Sequence, residues 1–425
     1  MSDRAGGTML VACHDCDEVH RVPELPDGGA AVCTRCGKLL FRHRAQSIER
    51  ALALNVAALA LFGVANLFPL MTMKLGGQAV ATTLLKGVTA LYDSGMGPLA
   101  ALVFIGAILI PLLKLVGSIW VLGLAHAGRL TQVRAPVFRF IEQLHPWAMT
   151  EVYLLGLIVA WVKLRELASI ELGLGLFAFV ALILVMIWAE SALEPHEVWE
   201  RVEPQTRVAR GEEPAKEAFL ACQACSQLVW TAGLESSDHP ACQRCGARLH
   251  HRKTDSLGRA WALLIGAVIL YIPANLLPIM TVISLGKGHP DTILSGVKTL
   301  IAAGMWPVAL LVFFASITVP VLKMAGLIYL LVSTRRGSLK RRRDRTVMYR
   351  LIEAVGRWSM VDVFMISILV ALVSLGGLAT IEPGLGAVAF SAVVVLTMLA
   401  SLAFDPRLIW DAKENHNDHG PEARG

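Results

Sequence analysis

Charge is scarce in this chain of 425 residues: Asp, Glu, Lys and Arg make up 17% of it, against a hydrophobic share of 55% and a mean hydropathy of +0.59. Soluble domains carry about 25% charged residues, so an array of soluble domains is excluded in favour of a chain that buries much of its surface in lipid. Cysteine is absent outside two short clusters, which in a reducing compartment points to metal binding rather than disulfides. No G-x4-G-K-[ST] run occurs, so there is no ATP-binding loop of that type, and no enzyme activity is expected. Residues Met1 to Ala12 lack the apolar core of a secretory signal, so no cleaved peptide is expected and the N-terminus should stay in the cytoplasm. The net charge of +6 comes from basic residues beside long apolar segments, where they act as topology signals; no nucleic-acid partner is expected.

What is present is organised by an internal repeat. A shift of 209 residues carries Cys13, Cys16, Cys33 and Cys36 onto Cys222, Cys225, Cys242 and Cys245. The same shift superposes Asn66-Leu-Phe-Pro-Leu-Met-Thr72 on Asn275-Leu-Leu-Pro-Ile-Met-Thr281, Gly95-Met-Gly-Pro98 on Gly304-Met-Trp-Pro307, and Pro111 and Lys114 on Pro320 and Lys323. After a two-residue insertion the shift becomes 211, aligning Trp147-Ala-Met-Thr-Glu151 with Trp358-Ser-Met-Val-Asp362 and Glu194 through Trp199 with Asp405 through Trp410. The duplication therefore spans nearly the whole chain.

Each repeat holds four apolar stretches long enough to cross about 30 Å of hydrocarbon. They lie near residues 50–72, 98–125, 147–164 and 172–192, and near 259–282, 306–332, 358–376 and 385–403. Without barrel-like alternation these must be helices. Arg42, Arg44, Arg50, Arg129, Arg134 and Arg139 fall on one side, joined by the run from Arg335 to Arg345 in the second half, whereas the opposite loops hold only scattered charges such as Lys74, Lys86, Asp93, Lys287 and Asp291. This places both termini in the cytoplasm. An even number of spans per repeat makes both halves enter the membrane in the same direction, about an axis along the membrane normal.

Each cysteine cluster reads C-x2-C, sixteen residues, C-x2-C, a spacing that lets two tight turns bring four thiolates to one tetrahedral ion. Gly37 and Gly246 follow the second pairs, where positive φ helps the turn close under the metal. A closed four-thiolate site suits zinc, with a rubredoxin-like iron site as the alternative. His14, His20, His43, His239, His250 and His251 lie nearby and read as surface residues.

Lys114 and Lys323 fall near the middle of the second spans, where a charge costs at least about 2.5 kcal/mol. Pro111 and Pro320 should kink those helices. Glu151 and Asp362 begin the following spans, so the expected pairs are Lys114 with Glu151 and Lys323 with Asp362, serving either proton coupling or simple helix association. Asn66, Thr72, Asn275 and Thr281 could line a polar opening or merely end a helix. Leu84, Leu85, Val88 and Leu91, like Ile293, Leu294, Val297 and Leu300, have helical spacing and should lie flat at the outer surface, as a docking or gating element or as a cap. Trp199 and Trp410 are expected in the aromatic belt.

Together, the doubled knuckles, the Asn-Leu-x-Pro-x-Met-Thr segments and the four-span units resemble the paraquat-inducible protein A family, over residues 10 to 411, and its lipid-transport branch in particular. The resemblance implies the inner membrane of a Gram-negative envelope, zinc on all eight cysteines, and a partnership with a periplasmic protein of mammalian-cell-entry (MCE) domains that moves lipids between membranes. The expected fold is an all-α polytopic membrane protein of two tandem four-helix transmembrane units, each preceded by a zinc-ribbon-like metal knuckle. The expected divisions are 10–45 for the first ribbon, 46–193 for the first unit, 194–217 for a charged linker, 218–254 and 255–411 for the second ribbon and unit, and 412–425 for a disordered tail. The expected function is passage of phospholipid between the inner membrane and a periplasmic tunnel; a membrane redox protein and a non-transporting scaffold are the alternatives.

Overall fold

A computed structural model describes residues 8–23, 25–75, 78–132, 134–164, 169–203, 207–208, 219–230, 240–284, 287–302, 304–373 and 379–411. The tail and much of the linker lie outside these residues. Among them, seven helical segments are long and apolar enough to cross a membrane: Ser47–Leu67, Gly97–His126, Leu174–Ala192, Ser256–Leu276, Ala309–Arg335, Arg342–Leu372 and Leu385–Ala403. The chain is thus a helical, polytopic membrane protein in two tandem units, each preceded by a four-cysteine knuckle.

The third span of each unit lies within its expected stretch but is shorter than expected and is preceded by a helix that the sequence did not announce. The first unit has an amphipathic helix Ala135–Leu144, a single 3-10 turn His145–Trp147, and the span helix Thr150–Leu164. The second repeats this with Arg342–Gly356, Arg357–Met360 and Val361–Leu372. Pro146 and Gly356 sit at the joints, the two residue types least able to sustain a helix. The Met149 N–H donates to the carbonyl of Gly106 at 3.3 Å. Gly106 lies about 13 Å into its helix at 1.5 Å per residue, so the break falls deep in the apolar layer.

Opposite each break the second span carries a π-helical turn, Ile105–Leu109 and Phe314–Thr318. Pro111 and Pro320 follow directly. The widened turn, with Ile110 N–H reaching Ile105 and Val319 N–H reaching Phe314, absorbs the missing proline donor that the sequence suggested would kink the helix. The two halves meet where Thr150–Leu164 packs on Val361–Leu372. Gly156 permits that crossing: a Cβ there would stand 3.1 Å from the Met365 nitrogen and 3.2 Å from the Val361 carbonyl oxygen.

Helices one and four of each unit pack along their length. Helix one stops at Leu67 and at Leu276, short of the expected ends, because Pro69 and Pro278 turn the chain into strands Met71–Leu75 and Met280–Ser284. Each becomes the centre of a three-stranded antiparallel sheet, between Gln78–Thr82 and Ser169–Leu172 in one half and Lys287–Asp291 and Ala379–Pro383 in the other. Gly173 and Gly175, like Gly384 and Gly386, donate to the carbonyls around those prolines at 2.7 to 3.0 Å, an approach that any Cβ would block.

Candidate metal centres and intramembrane charges

The knuckles are built from short hairpins, Thr8–Ala12 with Val19–Val22 and Ala30–Val32 with Leu39–Arg42 in the first, Phe219–Ala221 with Leu228–Trp230 in the second. Their turns are superposable. Asp17 N–H donates to Cys13 and Gly37 N–H to Cys33; Ser226 and Gly246 repeat this on Cys222 and Cys242, all at 2.8 to 3.0 Å. Gly37 and Gly246 take positive φ as expected, and so do Asp17 and Ser226 after the first pairs, which nothing in the sequence singled out.

The four sulfurs of each set lie within 4.8 Å of one another, with every cysteine buried. The nearest Sγ to Sγ distances are 3.5 Å in the first set and 3.5 and 3.6 Å in the second. A tetrahedral ion with bonds of about 2.3 Å needs sulfurs about 3.8 Å apart, so the donor set fits a metal. The thiols cannot all ionise by themselves. Cys13, accepting from Cys16, is held down to about 5 while Cys16 is pushed far up by the neighbouring thiolate, a conflict that a dication removes. Arg350 Nη2 approaches Cys36 Sγ at 3.1 Å, and His20 Nε2 approaches Cys33 Sγ at 3.1 Å. His14 meets Ser226 across the two knuckles, so His14 and His20 are not free surface residues, whereas His43 is exposed as expected and pairs with Asp27 at the surface. His250 and His251 are exposed, and His239 lies outside the described residues.

Docking of the knuckles is crossed. Arg350, from the second unit, holds Asp15 and the Cys36 carbonyl of the first knuckle, while its repeat counterpart Arg139, from the first unit, donates to the Cys245 carbonyl of the second knuckle at 2.9 Å. Burial raises the Asp15 carboxyl, but Lys38 at 2.6 Å and Arg350 at 2.6 Å outweigh it and hold Asp15 below its ordinary range. Trp199 and Trp410 are corrected from aromatic belt to knuckle support: Trp199 is buried against Phe138 and the second knuckle, and Trp410 lies under Arg35 at 4.6 Å. The linker also contributes structure, through helix Pro195–Val202 and strand Arg207–Val208, which pairs with the first knuckle.

Inside the apolar layer the expected pairs do not form. Lys114 binds Glu190, near the end of the fourth helix, and lies 3.0 Å from His145 Nδ1; it forms no ion pair with Glu151. Lys323 is 3% exposed, and its Nζ has no hydrogen-bond partner among the described residues. The counterparts of Glu190 and His145 are Ser401 and Gly356, so the second half lacks both groups that hold Lys114. Asp362 is buried and lines a cavity of about 40 Å³ with Ser316, Thr292, Ile293, Leu300 and Val159.

Asn66 and Asn275 donate to the carbonyls of Phe62 and Tyr271 at 2.8 Å, sealing the ends of helix one. Thr72 and Thr281 sit mid-strand in the central strands. The helices Leu84–Asp93 and Ile293–Ala302 exist as their periodicity suggested. The first packs on Val361–Leu372 of the other unit, where a Cβ on Gly87 would stand 3.6 Å from the Ser367 Oγ. Glu190, His145, Arg139 and Arg350 were missed. Only the mismatch of Glu190 with Ser401 and of His145 with Gly356, within an otherwise faithful repeat, could have flagged the first two.

No solved structure matches this chain. It is 33% identical over 414 residues to the intermembrane transport protein PqiA of Escherichia coli strain K12, covering 96% of this chain and 97% of that protein. It is 34% identical over 405 residues to the lipophilic envelope-spanning tunnel protein A of the same organism, covering 95% and 92%. A probable intermembrane transport protein of Haemophilus influenzae is 30% identical over 410 residues, covering 94% and 95%. The family model for paraquat-inducible protein A matches residues 48–203 and again 257–414, one match per structural repeat, and the chain belongs to that family.

Proposed function

We propose that this chain is the inner-membrane subunit of a lipid transport system, passing phospholipid between the inner membrane and a periplasmic MCE-domain tunnel protein. The observation that carries this reading is the apolar seam at Asp362. Two broken helices meet face to face, and in the second half a water-sized cavity runs beside helix Ile293–Ala302 to a carboxylate deep in the bundle. Discontinuous helices at mid-depth are how membrane transporters build substrate sites. At about 40 Å³ the cavity admits water and not a lipid, so this is a closed state whose seam must widen. The names of the relatives support cargo movement between membranes.

The knuckle face is cytoplasmic, because Arg42, Arg44, Arg129, Arg134 and the run from Arg335 to Arg345 all lie there, and both termini with it. The metal is zinc in both knuckles, held by Cys13, Cys16, Cys33 and Cys36 and by Cys222, Cys225, Cys242 and Cys245, where it supplies folding energy and no chemistry. Lys323 and Asp362 work with Lys114 and Glu151 to couple ion movement to transport, and Asn66, Thr72, Asn275 and Thr281 shape the outer exits.

The test is lipid mass spectrometry on purified protein, alongside Lys323→Met and Asp362→Leu. Bound phospholipid that disappears in both variants supports the reading. Lipid that is unchanged, or absent from all three, sinks it in favour of a scaffold. Elemental analysis returning iron instead of zinc would revive the redox alternative.

A further inference from the structure

The two repeats have diverged in one place, and the divergence is chemical. In the first half a cavity of about 160 Å³ opens between the helices, with Asn55, Lys114, Ser118, Glu142, His145 and Glu190 among its walls. The Lys114 ammonium donates to the Glu190 carboxylate and approaches His145 Nδ1 at 3.0 Å; His145 Nδ1 is itself 3.8 Å from Glu190. Glu142 and Pro195 also line a second space of about 930 Å³, walled by both knuckles through His14, Lys38 and Ser226. The polar cavity is thus contiguous with a vestibule on the knuckle face. Glu194, His196 and Arg139 stand at the mouth, and Glu194 accepts from the Arg42 N–H at 3.2 Å.

In the second half the same positions lose the histidine and one of the two carboxylates, and two of the neutral polar side chains as well. Asn55 becomes Leu264, Ser118 becomes Leu327, His145 becomes Gly356 and Glu190 becomes Ser401, while the lysine and Glu142, as Glu353, remain. Lys323 there is sealed beside Gly356 and Met398. Conversely, the water-sized cavity at Asp362 belongs to the second half and runs toward the opposite face, past Asp291 and Thr292. One repeat has kept a wet, charged site on the knuckle side, and the other a carboxylate approached from beyond it.

We propose that the first repeat is the proton-exchange site of the cytoplasmic side, with Glu190 and His145 taking up and releasing a proton through the vestibule between the knuckles. Uptake of a proton from water converts the Glu190 carboxylate to the acid and breaks its ion pair with Lys114, leaving the Glu142 carboxylate as the anion that shares the cavity with that ammonium. Release reverses both steps, so charge in the cavity changes by one and no other reactant is needed. Glu142 and Asn55 are positioning residues. The inference deepens the transport reading and rests on it for its purpose, but its geometry is testable without any transport assay.

The experiment uses the full chain in liposomes of defined orientation. Ser118→Cys is exposed to a membrane-impermeant maleimide, with the unaltered protein setting the background from its buried knuckle cysteines. In parallel, infrared difference spectra are recorded as the pH is stepped from acid to neutral, with the protonated-carboxyl region as the readout. The expected result is labelling several-fold faster from the knuckle face than from the opposite face, and a protonated-carboxyl band that Glu190→Gln abolishes, Glu190→Asp retains and Asp362→Asn leaves in place. Labelling only from the opposite face, no labelling above background, or a spectrum unaltered by Glu190→Gln overturns the proposal. Where the spectra and labelling hold but no lipid co-purifies, the transport reading fails and the exchange site stands.

Discussion

Replacing the two repeat-related lysines by methionine should move stability in opposite directions. Lys323 is 3% exposed with no hydrogen-bond partner for its Nζ among the described residues, whereas Lys114 is tied to Glu190 and His145. A lysine at the centre of a membrane helix costs about 2.5 to 3.5 kcal/mol on insertion scales. Methionine keeps the length of the stem, so Lys323→Met should recover a large part of that cost, about 1 to 3 kcal/mol. Lys114→Met removes the cation from Glu190, but the Glu190 side chain is 38% exposed to the cavity, so water softens the loss to about 1 kcal/mol of destabilisation. Reversible unfolding in mixed micelles titrated with a denaturing detergent measures both. Lys323→Met should also lose bound lipid, stability gained at the expense of function. If both variants shift the same way, or Lys323→Met unfolds more easily, Lys323 has a stabilising partner and the asymmetry argued between the halves is wrong.

Chelation, or Cys36→Ser, should expose the first knuckle to protease while the apolar helices stay intact, because so short a hairpin pair draws most of its folding energy from the ion; a knuckle that stays protected after metal loss would contradict this. Gly384→Ala should destabilise by about 3 kcal/mol or more, since its Cβ would overlap the Pro278 carbonyl that the backbone holds in place, whereas Gly123→Ala, with open space around it, should be neutral or slightly stabilising. Equal effects of the two alanines in the same unfolding assay would refute the close approach. Burial, with Arg244 nearby, pushes His196 down to about 4, so the folded chain excludes a proton that the unfolded chain binds below about pH 6.5. Stability from this group is full above pH 6.5 and is lost as pH falls toward 4, by at most about 3 kcal/mol. His196→Phe, which keeps the stack on Phe41, should flatten that part of the pH profile relative to the unaltered protein.

The apolar stretches, the duplication and the eight cysteines were legible in the sequence because each is a local or periodic signal: hydropathy over about 20 residues, or a spacing that returns at a constant shift. Gly37 and Gly246 announced their turns for the same reason. Three things were decided only by tertiary structure. The helix before each third span ends near Pro146 and at Gly356, and in the first half the Met149 N–H is taken up by Gly106 in the π-turn of the neighbouring helix, a contact between segments about 40 residues apart in sequence. Lys114 meets Glu190, 76 residues further along the chain, and not Glu151, a pairing that no local spacing announces. The knuckles cross, Arg350 to the first and Arg139 to the second, a pairing made between halves that also associate through Thr150–Leu164 and Val361–Leu372. Hydropathy reports which residues leave water; which of them then meet depends on packing between segments that no local pattern encodes.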